Sequence, residues 1–347
     1  MAVTVKDLAR LAGVSIGTVD RVLHRRGRVA AETESRVRAV IGKTGFTLNL
    51  HASNLAQARN YRIGILTPEL TQDSGFWRIP LAGMRSAVRE LSHYHVNLQF
   101  HHLDRFSASS FREAAGALPA EKPDGILLAP VIPEAALEFV RNLPEEAVLC
   151  CFDSDLPGLR KASFIGQDSL MSGRLAGKLM KMLVPADRQT VIIQAVDMDY
   201  HIRDRVEGFR SRYPEDTRPT VFKEKHLDLP GVCDTFMDDL FRTMPDTGGI
   251  FVTNASVHRV ADYLVRRNRA GVSLVGYDLI PENRKFVETG VIDFLISQRP
   301  EVQGYLGVQT LFNILSGQGK PPETQIVPLD ILTRENIRYY APDRISP

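Results

Sequence analysis

From Tyr61 onward the chain alternates short apolar, β-branched runs with amphipathic segments, and this alternation limits the possible folds more than any other feature. The strand candidates are residues 62–67, 96–101, 125–130, 148–153, 190–196, 219–223, 249–253, 273–277, 294–297 and 326–332. Helical patterns lie between them, for example over 81–91, 170–183, 206–212 and 302–315. Strands that alternate with helices imply parallel sheets covered on both faces, because each parallel connection needs a crossover. Ten strands over residues 61–347 exceed one small doubly wound sheet, so two α/β lobes are expected. There is no internal repeat and no low-complexity tract.

The first 60 residues have a different texture. They carry ten Lys/Arg against four Asp/Glu, a net +6, while the remainder nets −4 and the whole chain only +2. A basic head on a mildly acidic body points to a module that binds a polyanion. The head reads as three short helices. Thr4 and Asp7 have the spacing of a capping box. Val5, Leu8, Ala9 and Ala12 follow at helical spacing, and Gly13 permits a left-handed turn. Ser15 caps a second helix with Val19, Val22 and Leu23 inward. A basic loop, His24-Arg25-Arg26-Gly27-Arg28, precedes a third helix over 32–44 that Gly45 ends. Small Ala9 lets two helices cross closely. The outward N-terminus of the second helix is where a helix-turn-helix meets DNA.

Composition excludes other classes. Hydrophobic residues at 44% and charged residues at 24% rule out a disordered or collagen-like chain. Cys150, Cys151 and Cys233 form no Cys-x-x-Cys pair, and adjacent strand residues face opposite ways, so the thiols read as buried packing in a reducing compartment. The N-terminus lacks a signal pattern, and no apolar run reaches the roughly 20 residues of a membrane helix. A cytoplasmic protein is expected. Asp197 and Asp199 alternate along a strand and make a poor acid/base couple. His93, His95, His101 and His102 follow no zinc spacing. No nucleophile or phosphate-loop motif occurs, so neither catalysis, metal nor cofactor is expected.

The run Thr4-Val5-Lys6-Asp7-Leu8-Ala9-Arg10-Leu11-Ala12-Gly13-Val14-Ser15-Ile16-Gly17-Thr18-Val19-Asp20-Arg21-Val22-Leu23-His24 resembles the opening of the lactose-repressor (LacI/GalR) family of bacterial transcription regulators. The likeness continues through Gly45-Phe46-Thr47-Leu48-Asn49 to Leu55, where that family has a hinge helix. Asp20, His24, Leu48 and Ser53 depart from the family's usual Ser, Asn, Pro and Arg. The resemblance implies a helix-turn-helix domain over 1–47, a hinge over 48–60 and a two-lobed effector and dimerisation domain over 61–347. One lobe would hold about 61–161 and 293–322, the other about 162–292 and 323–340. The expected fold is thus α/β: an all-α headpiece and hinge helix, then a periplasmic-binding-protein-like core with two parallel doubly wound sheets.

Ile16, Gly17 and Arg21 are placed to face base edges, Ile16 against a thymine methyl and Arg21 on guanine or on a phosphate. Ser15, Thr18, Arg25, Arg26 and Arg28 suit backbone anchors. Leu55 resembles the family's hinge leucine, which wedges into the minor groove. Thr4, Asn49 and Ala52 complete the expected DNA-contacting set.

The body resembles the sugar-binding fold that this family carries as its sensor, which implies a ligand between the lobes, at strand C-termini. Candidates there are Phe76 and Trp77 after the first body strand, Asp153 and Asp155 after the fourth, Asp168, Arg203, Asn254, Asp278 and Gln298. Arg203 opens Arg203-Asp204-Arg205-Val206-Glu207-Gly208-Phe209, which looks like the R-x-x-G-F signature of pentose-binding relatives. The resulting expectation is a homodimeric regulator, read as a repressor, on double-stranded palindromic DNA. A sugar or polyol effector would control it, without a tetramerising leucine tail or a membrane partner. The rivals are a transport solute-binding protein, against which the basic head counts, and a sugar-modifying enzyme.

Overall fold

The computed structural model describes residues 3–24, 29–44, 60–196 and 199–340. The chain divides into two compact units, Met1–Ala58 and Arg59–Pro347.

In the first unit, helices α1 (Val5–Ala12), α2 (Ile16–His24) and α3 (Ala31–Thr44) enclose Leu8, Ala9, Ala12, Val19, Val22 and Val37. The capping box forms in full: Thr4 Oγ1 accepts from the Asp7 amide at 3.3 Å, and the Thr4 amide donates to Asp7 Oδ2 at 3.0 Å. Gly13 stops α1 at φ 65°, ψ 37°, where a Cβ is penalised. The Val14 amide then donates to the Ala9 carbonyl at 3.0 Å, which sets the turn. Ser15 Oγ accepts from the Thr18 amide at 3.2 Å and so caps α2.

The second unit holds two six-stranded sheets. The first contains β1 (Tyr61–Pro68), β2 (Val96–Leu103), β3 (Gly125–Leu128), β4 (Val148–Phe152), β5 (Ser163–Gly166) and β11 (Thr324–Ile326), in the order β11-β5-β4-β3-β1-β2. Its pairs are all parallel. The second contains β6 (Gln189–Gln194), β7 (Thr220–Lys223), β8 (Thr247–Val252), β9 (Ser273–Tyr277), β10 (Phe294–Ser297) and β12 (Asp330–Leu332), in the order β12-β10-β9-β8-β6-β7. Only the β10–β12 pair is antiparallel. The helices of this unit are α4 (Arg78–Glu90), α5 (Ala108–Glu121), α6 (Pro133–Arg141), α7 (Ser169–Leu183), α8 (Tyr200–Arg210), α9 (Pro230–Thr243), α10 (Val257–Arg266), α11 (Pro281–Glu288) and α12 (Pro300–Leu315).

Helices cover both faces of each sheet, which is why the strands read as continuous apolar runs. Val191, Ile193, Ile250 and Val252 enter one core of the second sheet, while Ile192 and Phe251 enter the other. Each such side chain contributes roughly 1.5–3 kcal/mol on burial. Each lobe also has one helix pair in backbone contact through glycine. A Cβ on Gly304 in α12 would overlap the Pro80 carbonyl of α4, and a Cβ on Gly208 in α8 would overlap the Leu170 carbonyl of α7.

The lobe limits differ from the expected ones near 161, 292 and 322. Ser163–Gly166 pairs with β4 and stays in the first sheet, Phe294–Ser297 pairs with β9 in the second, and Thr324–Ile326 pairs with β5 in the first. Each crossing therefore follows a strand instead of preceding it. The expected strand over 326–332 is two strands in different sheets, separated at Val327-Pro328-Leu329, where Pro328 has no amide to donate. In both sheets the strand order reverses at the first strand, between β1 and β3 and between β6 and β8, the switch points where open α/β sheets leave a crevice.

Candidate functional site

A cavity lies between the two sheets of the body, at the carboxyl ends of their strands. The turn after β1 brings Asp73, Phe76 and Trp77 to it, the ends of β2 and β4 bring Arg105 and Asp153, and α8 brings His201 and Arg205. Asn254, Asp278 and Gln298 reach it from the ends of β8, β9 and β10. Its volume is about 20 Å³, room for a water molecule or so. Admission of a sugar therefore requires the lobes to part.

The cleft is charged and almost wholly buried. Arg105 pairs with Asp73 on its own lobe and with Asp199, just before α8, on the other. Burial alone would lower its guanidinium, but Asp199 and Asp73 raise it above the ordinary value, so it stays charged. Ser74 Oγ lies 3.3 Å from Ser256 Oγ, and the Phe106 ring 5.0 Å from the His226 ring, two further ties across the lobes. Trp77 and Phe76 meet edge-on at 5.1 Å, and the Trp77 indole donates to Asp73 Oδ2 at 2.7 Å.

Arg205 is 1% exposed. Its Nη1 donates to the Thr253 carbonyl at 2.7 Å, and its guanidinium lies 3.8 Å from the Tyr277 ring centre. Its Nε donates to Gln167 Oε1 at 3.1 Å when the Gln167 amide is turned to give its own N–H to Ser172. Gln298 Nε2 donates to Asp278 Oδ2 at 3.0 Å. Four buried polar atoms of the cleft have no hydrogen-bond partner among the described residues: Arg105 Nε, Asp153 Oδ1, Asp199 Oδ1 and His201 Nδ1. Asp73, Asp153 and Asp278 have φ of 51°, 67° and 62°, a left-handed backbone that costs each non-glycine residue on the order of 1–3 kcal/mol. Strain and unpaired polar atoms gathered in one place mark a site built for something other than stability.

Burial pushes the Asp153 carboxyl up to about 8; Arg205 opposes this, and Asp199 and Asp278 add to it. Burial likewise takes Asp199 and Asp278 up to about 6, against Arg105 and Arg205 respectively. His201 is held neutral by burial and then by Arg205 and Arg105. A carboxyl raised in the folded state binds more protons there than in the unfolded chain. Its effect is thus a loss of stability as pH rises from about 4, the unfolded value, through the folded one. Asp153→Asn is expected to raise the melting temperature relative to the parent, and by more at about pH 8 than at about pH 5. An increment that does not change with pH would show that Asp153 is not the titrating group.

In the head, Ser15, Ile16, Gly17 and Arg21 are exposed along the start of α2, and Thr18 is half-buried. Ile16 is an apolar side chain left 48% open to solvent. Arg21 lies back along its helix, with Nε donating to the Gly17 carbonyl at 3.0 Å. Thr4 is occupied by the α1 cap. Arg25, Arg28, Asn49, Ala52 and Leu55 lie outside the described residues.

The family model for bacterial regulatory proteins, lacI family, matches residues 4–49, and that for the periplasmic binding protein domain matches residues 63–319. Over most of its length the chain belongs to the periplasmic binding protein domain family, and its head matches the lacI family of bacterial regulatory proteins. It is similar to the HTH-type transcriptional regulator IdnR of Escherichia coli K12, at 24% identity over 82% of this chain and 84% of that protein. It is also similar to the xylose/arabinose-binding protein XylF of Sulfolobus acidocaldarius, at 26% identity over 51% of this chain but only 46% of that protein. The crystal structure of a protein described as a LacI transcriptional regulator from Bacteroides fragilis superposes with a TM-score of 0.76, at 29% identity over 82% of this chain and all of that one. No helix among the described residues is long and apolar enough to cross a membrane.

Within the body, which matches the periplasmic binding protein domain, six of the nine cleft residues expected from sequence come together: Phe76, Trp77, Asp153, Asn254, Asp278 and Gln298. The other three lie elsewhere. Asp155 pairs with Lys161 at 2.7 Å and accepts from the Leu156 amide. Asp168 caps α7 by accepting from the Met171 amide at 2.9 Å. Arg203 faces a different groove, and Arg205 takes the cleft position. Counting R-x-x-G-F back from Gly208-Phe209 gives Arg205 directly, so the signal was present in the sequence. The alternation of Asp197 and Asp199 implies a strand, but β6 ends at Gln194 and Asp199 immediately precedes α8; Asp197 lies outside the described residues. Asp73, Arg105 and His201 carry no local motif.

Proposed function

We propose that this protein is a DNA-binding transcription regulator, a repressor, whose body takes a sugar or polyol between its lobes. The observation that carries the reading is the cleft. Two aromatic rings, two arginines, three carboxylates, an imidazole and two amides from both lobes converge there, with Asp199 paired to Arg105 and four buried polar atoms unpaired among the described residues. Carboxylates and amides suit vicinal hydroxyls, and a flat aromatic suits the apolar face of a sugar ring. The likeness to a protein named for xylose and arabinose binding supports that ligand class.

The head would act through α2, with Ile16 and Arg21 toward base edges and Ser15 and Thr18 toward phosphates. Two copies would bind the halves of a palindrome as a homodimer. Ligand would change DNA affinity only through its unequal affinity for the parted and closed lobes.

Trp77, the one tryptophan of the chain, lines the cleft and reports on it. Titration of pentoses, hexoses and polyols against the full chain is expected to change its fluorescence saturably for one of them. Asp278→Ala should abolish that change while DNA binding persists. Loss of DNA binding with an intact sugar response would place the ligand site elsewhere.

A further inference from the structure

Arg203, absent from the cleft, lines a separate groove of about 740 Å³ on the second lobe. The groove runs between α8 and β7, the edge strand of its sheet. Arg203, Glu207 and Arg210 follow at spacings of four and three, so they line one face of α8. Arg218 precedes β7, and Lys223 ends it. Lys223 has a partner of its own, which leaves Arg203, Arg210 and Arg218 around one acid, Glu207, among the described residues. Arg203 and Arg210 make no ion pair among the described residues, and Arg210 Nε is buried without a hydrogen-bond partner. Arg218 bonds Glu215 at 3.2 Å, an exposed pair that holds little. On the same lobe Arg266 is paired with Asp234 and Asp262, and Arg267 with Asp238.

A buried guanidinium N–H left unpaired is costly, and an arriving acceptor removes that cost. Three arginines around a single lining carboxylate match the oxygens of a phosphate, which accepts charge-assisted bonds from more than one side. The volume is that of a small-molecule site. A sugar hydroxyl can accept from these arginines, but only an anion also offsets their net charge. We propose that the groove is a second ligand site, separate from the cleft, that takes a small phosphate-bearing molecule.

The test is calorimetric titration of the full-length protein with inorganic phosphate, glucose 6-phosphate and glucose as probes. Saturable binding is expected for one or both phosphate probes and not for glucose in this groove. Arg203→Gln with Arg210→Gln should weaken it by about tenfold or more, and Asp278→Ala in the cleft should leave it unchanged. Glu207→Gln removes the acid that lines the groove among the described residues and should tighten binding a few-fold, a gain that misfolding cannot imitate. Equal affinity for the two phosphate probes assigns free phosphate as the ligand; preference for the ester assigns a phosphorylated metabolite. Absence of phosphate binding at millimolar concentration overturns the proposal. So does binding that survives the double arginine variant, or that Asp278→Ala abolishes.

Discussion

Arg205→Ala is expected to destabilise the body by about 3–5 kcal/mol and to abolish its response to ligand. Arg205 is the largest fully buried side chain among the described residues, 1% exposed. Truncation leaves the Thr253 carbonyl and Gln167 without their donor and the Tyr277 face uncovered. It also removes the cation that restrains Asp153 and Asp278 from rising still further. A buried charge that loses its partners costs more than the pair ever contributed, which sets the expected size. Urea unfolding followed by Trp77 fluorescence measures it. A loss below about 1 kcal/mol, the size of an exposed pair, would mean that Arg205 is not held as described.

Gly208→Ala is the second large effect, and its sign runs against helix propensity. In an open helix the change gains up to about 1 kcal/mol. Here the new Cβ would overlap the Leu170 carbonyl oxygen and approach the Arg174 amide nitrogen at 2.9 Å, both backbone atoms that cannot rotate away. The expected net result is a loss of about 1–3 kcal/mol, as α7 and α8 are forced apart. Because α8 carries His201 and Arg205, ligand affinity should fall with it. Gly116→Ala supplies the contrast. It lies in α5 with nothing within 4 Å of a built Cβ, and it should be neutral or stabilising. Equal effects at the two positions would refute the close crossing.

The contrast between legible and illegible features follows the range of the interactions. Thr4, Asp7, Gly13 and Ser15 act on neighbours three or four residues away, so their caps and turn could be read from spacing alone. The two parallel sheets were legible because burial on both faces leaves an uninterrupted apolar run. Strands β11 and β12 have three residues each, too few to establish a pattern, and β5 offers only Phe164 and Ile165 between Ser163 and Gly166, so the lobe limits moved with them. Asp153, Asp278 and Gln298 could be found because the switch-point rule puts ligand groups at strand ends. Arg105 could not, since its partners Asp73 and Asp199 are 32 and 94 residues away. The Arg203 assignment failed on helical phase: two residues along a helix turn a side chain to the opposite face, and Arg205 is the one turned inward.

The central claim is that the head reads DNA under control of the body. Selection from random double-stranded DNA by the full-length protein, with and without a pool of sugars and polyols, tests it most directly. A palindrome recovered under one condition and depleted under the other is the predicted result. Failure to enrich any sequence under either condition would contradict the account.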